Sequence, residues 1–187
     1  MMEESDWKTL NRSVVYENPW IKVEHRNVIN PSGNPGIYGT VHYKNVAIAV
    51  LPIDQEGNTY LVGQYRYVLS QYSWEIPEGG CPGHENPLFA AKRELKEETG
   101  LEAKIWTPIL QMDLSNSVSD EHSISYIARD LTNGSARPEE TENLQVKKVH
   151  FNELLEMVLR NEVRDALTIA TVLRAKLYLD DLGIDDF

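Results

Sequence analysis

The sequence predicts the α/β (α+β) class: one layered domain in which helices cover a sheet, preceded by a small antiparallel β subdomain. Three observations carry this. The stretch "NVAIAVLPI" at 45–53 is a nearly continuous apolar strand, as expected when both faces are covered. A helix with clear start and stop signals follows at 87–99. Two further helical patterns close the chain after a run of strands. A chain of 187 residues holds one such domain plus a small addition and is too short for two ordinary domains.

Taken in order, "SVVYE", "WIKVEHRNVI" and "YGTVHY" read as short strands, with "NPSGNPG" at 30–36 supplying turn chemistry between the last two. They define an N-terminal β subdomain over 1–44, with Trp7, Tyr16 and Trp20 as aromatics for packing or stacking. The main domain runs over 45–187. Its first strand turns at "DQEGN" (54–58) into "TYLVGQYRYV", and "SWEIPEGG" follows. The helix begins with Asn86 as N-cap and Pro87 in the first helical position, and Gly100 ends it. Strands are expected near "AKIWTPILQM", "HSISYIARDL" and "QVKKVHF", separated by polar loops at 114–122 and 132–143. Helices at 152–160 and 165–181 take Asn152 and Asp165 as candidate caps.

Lys and Arg number 18 against 29 Asp and Glu, a net charge of −11. This argues against nucleic acid or an anionic membrane as partner, since both require basic patches. A small phosphate-bearing substrate stays compatible if metal ions supply the positive charge. Cys81 is the only cysteine, so no intrachain disulfide forms. The acidic start "MMEESDWKTL" lacks a basic and apolar leader, and "VAIAVL" is too short to span a bilayer. The expectation is a soluble cytoplasmic protein.

The stretch "RELKEETGL" at 93–101 places Glu94, Glu97 and Glu98 on one helical face, within an arc of roughly 100°. Leu88, Ala91 and Leu95 make an apolar stripe beside that arc, while Lys92 and Lys96 point elsewhere. Carboxylates this close raise one another's pKa unless a cation joins them. Hard oxygen donors suit Mg²⁺, with Mn²⁺ as an alternative.

These glutamates belong to a longer pattern: Gly79, five residues, Glu85, seven residues, Arg93-Glu94-Leu95, Glu97-Glu98 and Gly100-Leu101. The pattern matches the Nudix box in full, and at ordinary residue frequencies a chance match is on the order of one in a million. The chain therefore resembles the Nudix hydrolases. The resemblance implies an α/β/α sandwich around a mixed sheet, a divalent cation on Glu94, Glu97 and Glu98, and a structural Glu85–Arg93 ion pair.

The segment "VGQYRYVLSQYSWEIPEGG" is similar to the one before the box in the ADP-ribose pyrophosphatase branch, which hydrolyses nucleoside diphosphate sugars. That likeness implies a metal contact from the Glu78 carbonyl, a phosphate contact from Arg66 and a pocket position for Glu75. "SNSVSDE" at 115–121 resembles a substrate loop, with Glu121 as its acidic residue, although Asn116 stands where the branch has proline. "RPEETENLQV" resembles the late loop that supplies the catalytic base, which places Glu140 in that role with Glu142 as partner. Glu139, Glu142 or Glu121 are the alternatives. Branch members pair through the N-terminal subdomain, so a homodimer is expected. A module that senses a nucleotide sugar without cleaving it would have lost box carboxylates, and this chain keeps them all.

Overall fold

The computed structural model describes residues 4–134 and 144–183. Two compact units emerge, one containing residues up to Asn45 together with Asp113–Glu121, the other Val46–Met112 and the chain from His122 onward.

In the first unit β1 (Lys8–Glu17), β2 (Ile21–Ile29) and β3 (Pro35–Tyr43) form an antiparallel sheet in chain order. The Asn18 carboxamide closes the first turn by accepting the N–H groups of Trp20 and Ile21, each at 2.8 Å. Asn30 does the same for Ser32 and Asn34. Strand β3 starts at Pro35, inside the stretch expected to be turn. Pro35 pairs with Ile29 at the mouth of the hairpin, on an edge strand that tolerates a missing N–H. Trp7 meets Tyr38 edge-on at 5.3 Å. Strand β1 is exposed along its length.

Residues 113–121 lean on β3. Val41 donates its N–H to the Val118 carbonyl (2.8 Å), and the Val41 carbonyl accepts from Asp120 N–H (3.2 Å). His42 Nδ1 lies 2.6 Å from Asp120 Oδ2, and Tyr43 N–H donates to Asp120 Oδ1 (2.9 Å).

Glu24 on β2 is buried beneath its neighbours, with Lys22 and Arg26 each 2.8 Å from its carboxylate and His42 at 3.4 Å. Hydrogen bonds from Lys22, then Arg26, lower its pKa from 4.5 to about 2, against an opposing push from burial. A depressed folded pKa stabilises above the unfolded value and is lost as pH falls through the folded one. The sheet is therefore expected to lose stability between pH 4.5 and about 2. Denaturant titrations across that window should show a shallower loss in Glu24→Gln, and equal slopes would remove Glu24 as the cause.

The second unit contains β4 (Asn45–Pro52), β5 (Asn58–Arg66), a 3-10 turn (Tyr67–Leu69), β6 (Gln71–Glu75), β7 (Glu78–Pro82), α1 (Pro87–Thr99), β8 (Leu101–Asp113) and β9 (His122–Asn133). After the undescribed stretch come β10 (Gln145–His150), α2 (Phe151–Leu159) and α3 (Ala166–Asp181). One sheet has the order β7-β4-β9-β8 and the other β10-β5-β6. Strands β4 and β9 run parallel, from Ala47 opposite Ser123 to Pro52 opposite Ala128. This is the mixed α+β architecture the apolar run at 45–53 implies.

Helix α1 has the expected bounds. Asn86 Oδ1 accepts the Leu88 N–H at 2.9 Å, Pro87 opens the helix and Gly100 ends it in the left-handed region at φ 73°. Its Ala90, Ala91 and Leu95 pack on Ile48, Val50, Tyr126 and Ala128 in a buried cluster with Cys81. Helix α2 is capped by His150, not Asn152: the His150 ring accepts the Asn152 N–H, and the helix begins one residue earlier. Asp165 caps α3 as expected. Among the described residues no helix is long and apolar enough to cross a membrane.

Candidate active site

Packing Ala91 and Leu95 into the core carries the neighbouring arc of α1 inward, so Glu94 and Glu98 are 9% and 3% exposed. Glu97, further round the helix, is half-buried. Strand β7 meets this face. The Glu78 N–H donates to Glu98 Oε2 at 3.1 Å. Gly79 lies against the Glu94 carboxylate, where an added Cβ would come closer than 3.0 Å. Glycine leaves the room in which the Glu94 carboxylate sits.

Arg93 organises the same face. Its Nη2 donates to the Gly80 carbonyl (2.9 Å) and to Glu85 Oε2 (3.0 Å), and its Nε to Glu85 Oε1 (3.3 Å). Its Nη1 donates to Glu94 Oε1 (2.8 Å) and Glu97 Oε2 (3.0 Å). The Glu85–Arg93 pair exists as expected, and the guanidinium also spans two box carboxylates, a role the sequence did not disclose. Hydrogen bonding to Glu85 raises the Arg93 pKa, and the same bond lowers that of Glu85.

The donor set fits a hard divalent cation. Three carboxylates share one helix face, two of them buried, and the backbone beside them carries no Cβ. Glu94, Glu97 and Glu98, with the Glu78 carbonyl, are the groups that would hold it. Among the described residues no three such side chains close into a complete ligand cluster, since Arg93 stands between Glu94 and Glu97.

A second group lies at the end of β5 and β6. Arg66 Nε donates to both oxygens of the buried Glu75 (3.0 and 3.1 Å), and its Nη2 joins the same carboxylate. These bonds raise the Arg66 pKa. Both residues line a cavity of about 740 Å³ with Tyr65, Tyr67, Arg164 and Asp165. That size suits a small organic ligand. Arg164, which also donates to Gln71, and Asp165 were not among the expected site residues. Burial, then repulsion from Asp165 and Glu75, pushes the Glu78 carboxyl well above the usual carboxylate range.

The structure thus sets the Glu78 backbone against Glu98 and Gly79 against Glu94, links Glu94 to Glu97 through Arg93, and pairs Arg66 with Glu75. Glu121 belongs to the first unit, where its carbonyl accepts the Leu114 N–H at 2.9 Å. Glu139, Glu140 and Glu142 lie outside the described residues.

A family model described as the NUDIX domain matches residues 43–171, and one described as the nucleoside diphosphate sugar hydrolase N-terminal domain matches residues 7–41. An ADP-ribose pyrophosphatase of Mycobacterium tuberculosis is 30% identical over 176 residues, covering 92% of this chain and 84% of that protein. One from Bacillus subtilis is 31% identical over 169 residues, covering 89% and 91%. A solved structure described as an ADP compounds hydrolase superposes with a TM-score of 0.87 at 20% identity, over 98% of this chain and 100% of that one. The complete box on a helix built to present it, and a family match over most of the length, place this chain in the Nudix family of hydrolases.

Proposed function

We propose that the enzyme hydrolyses the pyrophosphate bond of a nucleoside diphosphate sugar, ADP-ribose first among them, releasing a nucleoside monophosphate and a sugar phosphate with Mg²⁺ as cofactor. The observation that carries this is the pair Glu94 and Glu98 of α1 held against β7, with Glu97 joined to Glu94 through Arg93, in a chain that also matches the N-terminal domain of nucleoside diphosphate sugar hydrolases. The names of the two bacterial relatives favour ADP-ribose. GDP-mannose or another nucleotide sugar is the alternative, because Asn116 replaces the proline of the resembled branch.

When bound, the cation neutralises phosphate charge and activates the attacking water. Glu94, Glu97 and Glu98 would hold it, with the Glu78 carbonyl as a fourth donor, and Arg93 fixes the orientation of Glu94 and Glu97. Arg66 and Glu75, which line one cavity, receive the substrate. Glu140 takes the proton from the attacking water and Glu142 orients it, a general-base contribution of roughly 10² to 10⁴ in rate. The enzyme acts in the cytoplasm as a homodimer, a state supported by the exposed Leu10, Val14, Val15 and Tyr16 of β1.

The test is a panel of nucleotide sugars, dinucleoside polyphosphates and nucleoside triphosphates with Mg²⁺, the products resolved by chromatography. ADP-ribose should give AMP and a pentose phosphate, from a preparation that sediments at twice the chain mass. Turnover of triphosphates alone would overturn the substrate class, and nucleotide-sugar binding without any product would make the protein a sensor.

A further inference from the structure

The chain between β6 and β7 is two residues long, Ile76-Pro77, and these two and Glu78, the first residue of β7, are each pinned. The Ile76 N–H donates to the Thr168 hydroxyl (3.1 Å), and that hydroxyl donates to Glu78 Oε1 (2.9 Å). The Pro77 carbonyl accepts the Val50 N–H (2.9 Å), and the Glu78 N–H meets Glu98. Thr168 is 0% exposed and sits in the first turn of α3, its own N–H bonded to the Asp165 cap at 2.6 Å. One hydroxyl therefore uses both its proton and a lone pair to hold the two ends of the segment that presents Glu78 to Glu98.

We propose that Thr168 is a positioning residue for the cation site. Its hydroxyl bonds go to Ile76 and Glu78, outside the box helix. By fixing Ile76 and the Glu78 side chain it sets where the Glu78 backbone lies, and with it the N–H that orients Glu98. Groups that orient donors in this way are worth roughly 10- to 100-fold in metal affinity. The inference rests on the reading that Glu78, Glu94, Glu97 and Glu98 hold the cation.

Thr171 provides a matched control. It is equally buried on α3, and its hydroxyl bonds Ser125 of β9 at 2.7 Å instead of the Ile76–Glu78 segment. Mn²⁺ binding to the purified full chain, read by electron paramagnetic resonance and calorimetry, should weaken roughly 10-fold or more in Thr168→Val. Thr168→Ser should recover most of the affinity, and Thr171→Val should bind as wild type even where its Tm falls. The Mg²⁺ concentration for half-maximal activity should rise with the Mn²⁺ Kd, while kcat at saturating Mg²⁺ changes little. Thr168→Ala, which leaves space for a water, serves if the valine variant does not fold. Unchanged Mn²⁺ affinity in Thr168→Val or Thr168→Ala, or an equal loss in Thr171→Val, would overturn the proposal. Undiminished Mn²⁺ binding in Glu97→Gln would instead overturn the underlying assignment of the cation site.

Discussion

Replacing Glu98 with glutamine should lower kcat/KM by roughly 10³-fold while the protein stays folded, since a cation at a reacting phosphate is worth several kcal/mol and each factor of ten is about 1.4 kcal/mol. Geometry explains the separation of the two effects. Glutamine has the same shape and keeps an oxygen for the Glu78 N–H, so the contact between α1 and β7 survives. What is lost is a buried negative charge, one turn from Glu94 on the same helix. Removing one of two neighbouring like charges relieves repulsion on the helix by a few tenths of a kcal/mol, so the melting temperature should hold or rise slightly. Kinetics over a Mg²⁺ series, with thermal melts on the same samples, read both quantities. Activity within about threefold of wild type, well under one factor of ten in rate, would mean that Glu98 serves only the packing.

The second large effect is expected from one carbon atom. In Gly79→Ala the new Cβ meets the Glu94 carboxylate closer than 3.0 Å. The obstacle is the far end of a flexible side chain, so Glu94 can swing away and the fold should lose only about 1–3 kcal/mol, the usual cost of one inserted methyl. The swing takes Glu94 from its place beside Glu98 and breaks its bond to Arg93. Hydrolysis should fall by roughly 100-fold, the upper end for disturbed ligand positioning. Gly83 is the comparison, because nothing lies within 4 Å of its Cβ position and alanine there should leave activity intact. If Gly79→Ala turns over substrate like Gly83→Ala, the close approach has no catalytic meaning.

Helix α1 and its charged face were legible because every signal for them is local: a cap, a proline, a terminal glycine and a spacing of three and four residues. The Glu85–Arg93 pair was legible too, as part of one contiguous motif. The reach of Arg93 to Glu94 and Glu97 was not, since a side chain with five donors can choose among several acceptors only once the backbone is placed. Thr168 was invisible for a different reason: its partner Glu78 is 90 residues away, and a threonine in a helical pattern carries no sign of which strand it will meet. The start of β3 at Pro35 shows the opposite error. Turn-forming residues announce a turn without saying on which residue pairing resumes, and that was decided by the register of Ile29 opposite Pro35. His150 displaced Asn152 as the cap of α2 because β10 runs directly into the helix, leaving no residue between them for a conventional cap.

The lean of residues 113–121 on β3 bears on how the chain folds as it is made. Domains generally fold in order as they leave the ribosome, at about 5–20 residues per second. Strands β1 to β3 can pair as soon as Tyr43 has emerged, but the partners of Val41, His42 and Tyr43 lie in Val118 and Asp120. The first unit to be synthesised is therefore completed only after β8, which belongs to the second, has been translated. A nascent chain halted before residue 118 would hold a hairpin sheet with one edge still waiting, and a fragment cut at Asn45 would never acquire its closing segment.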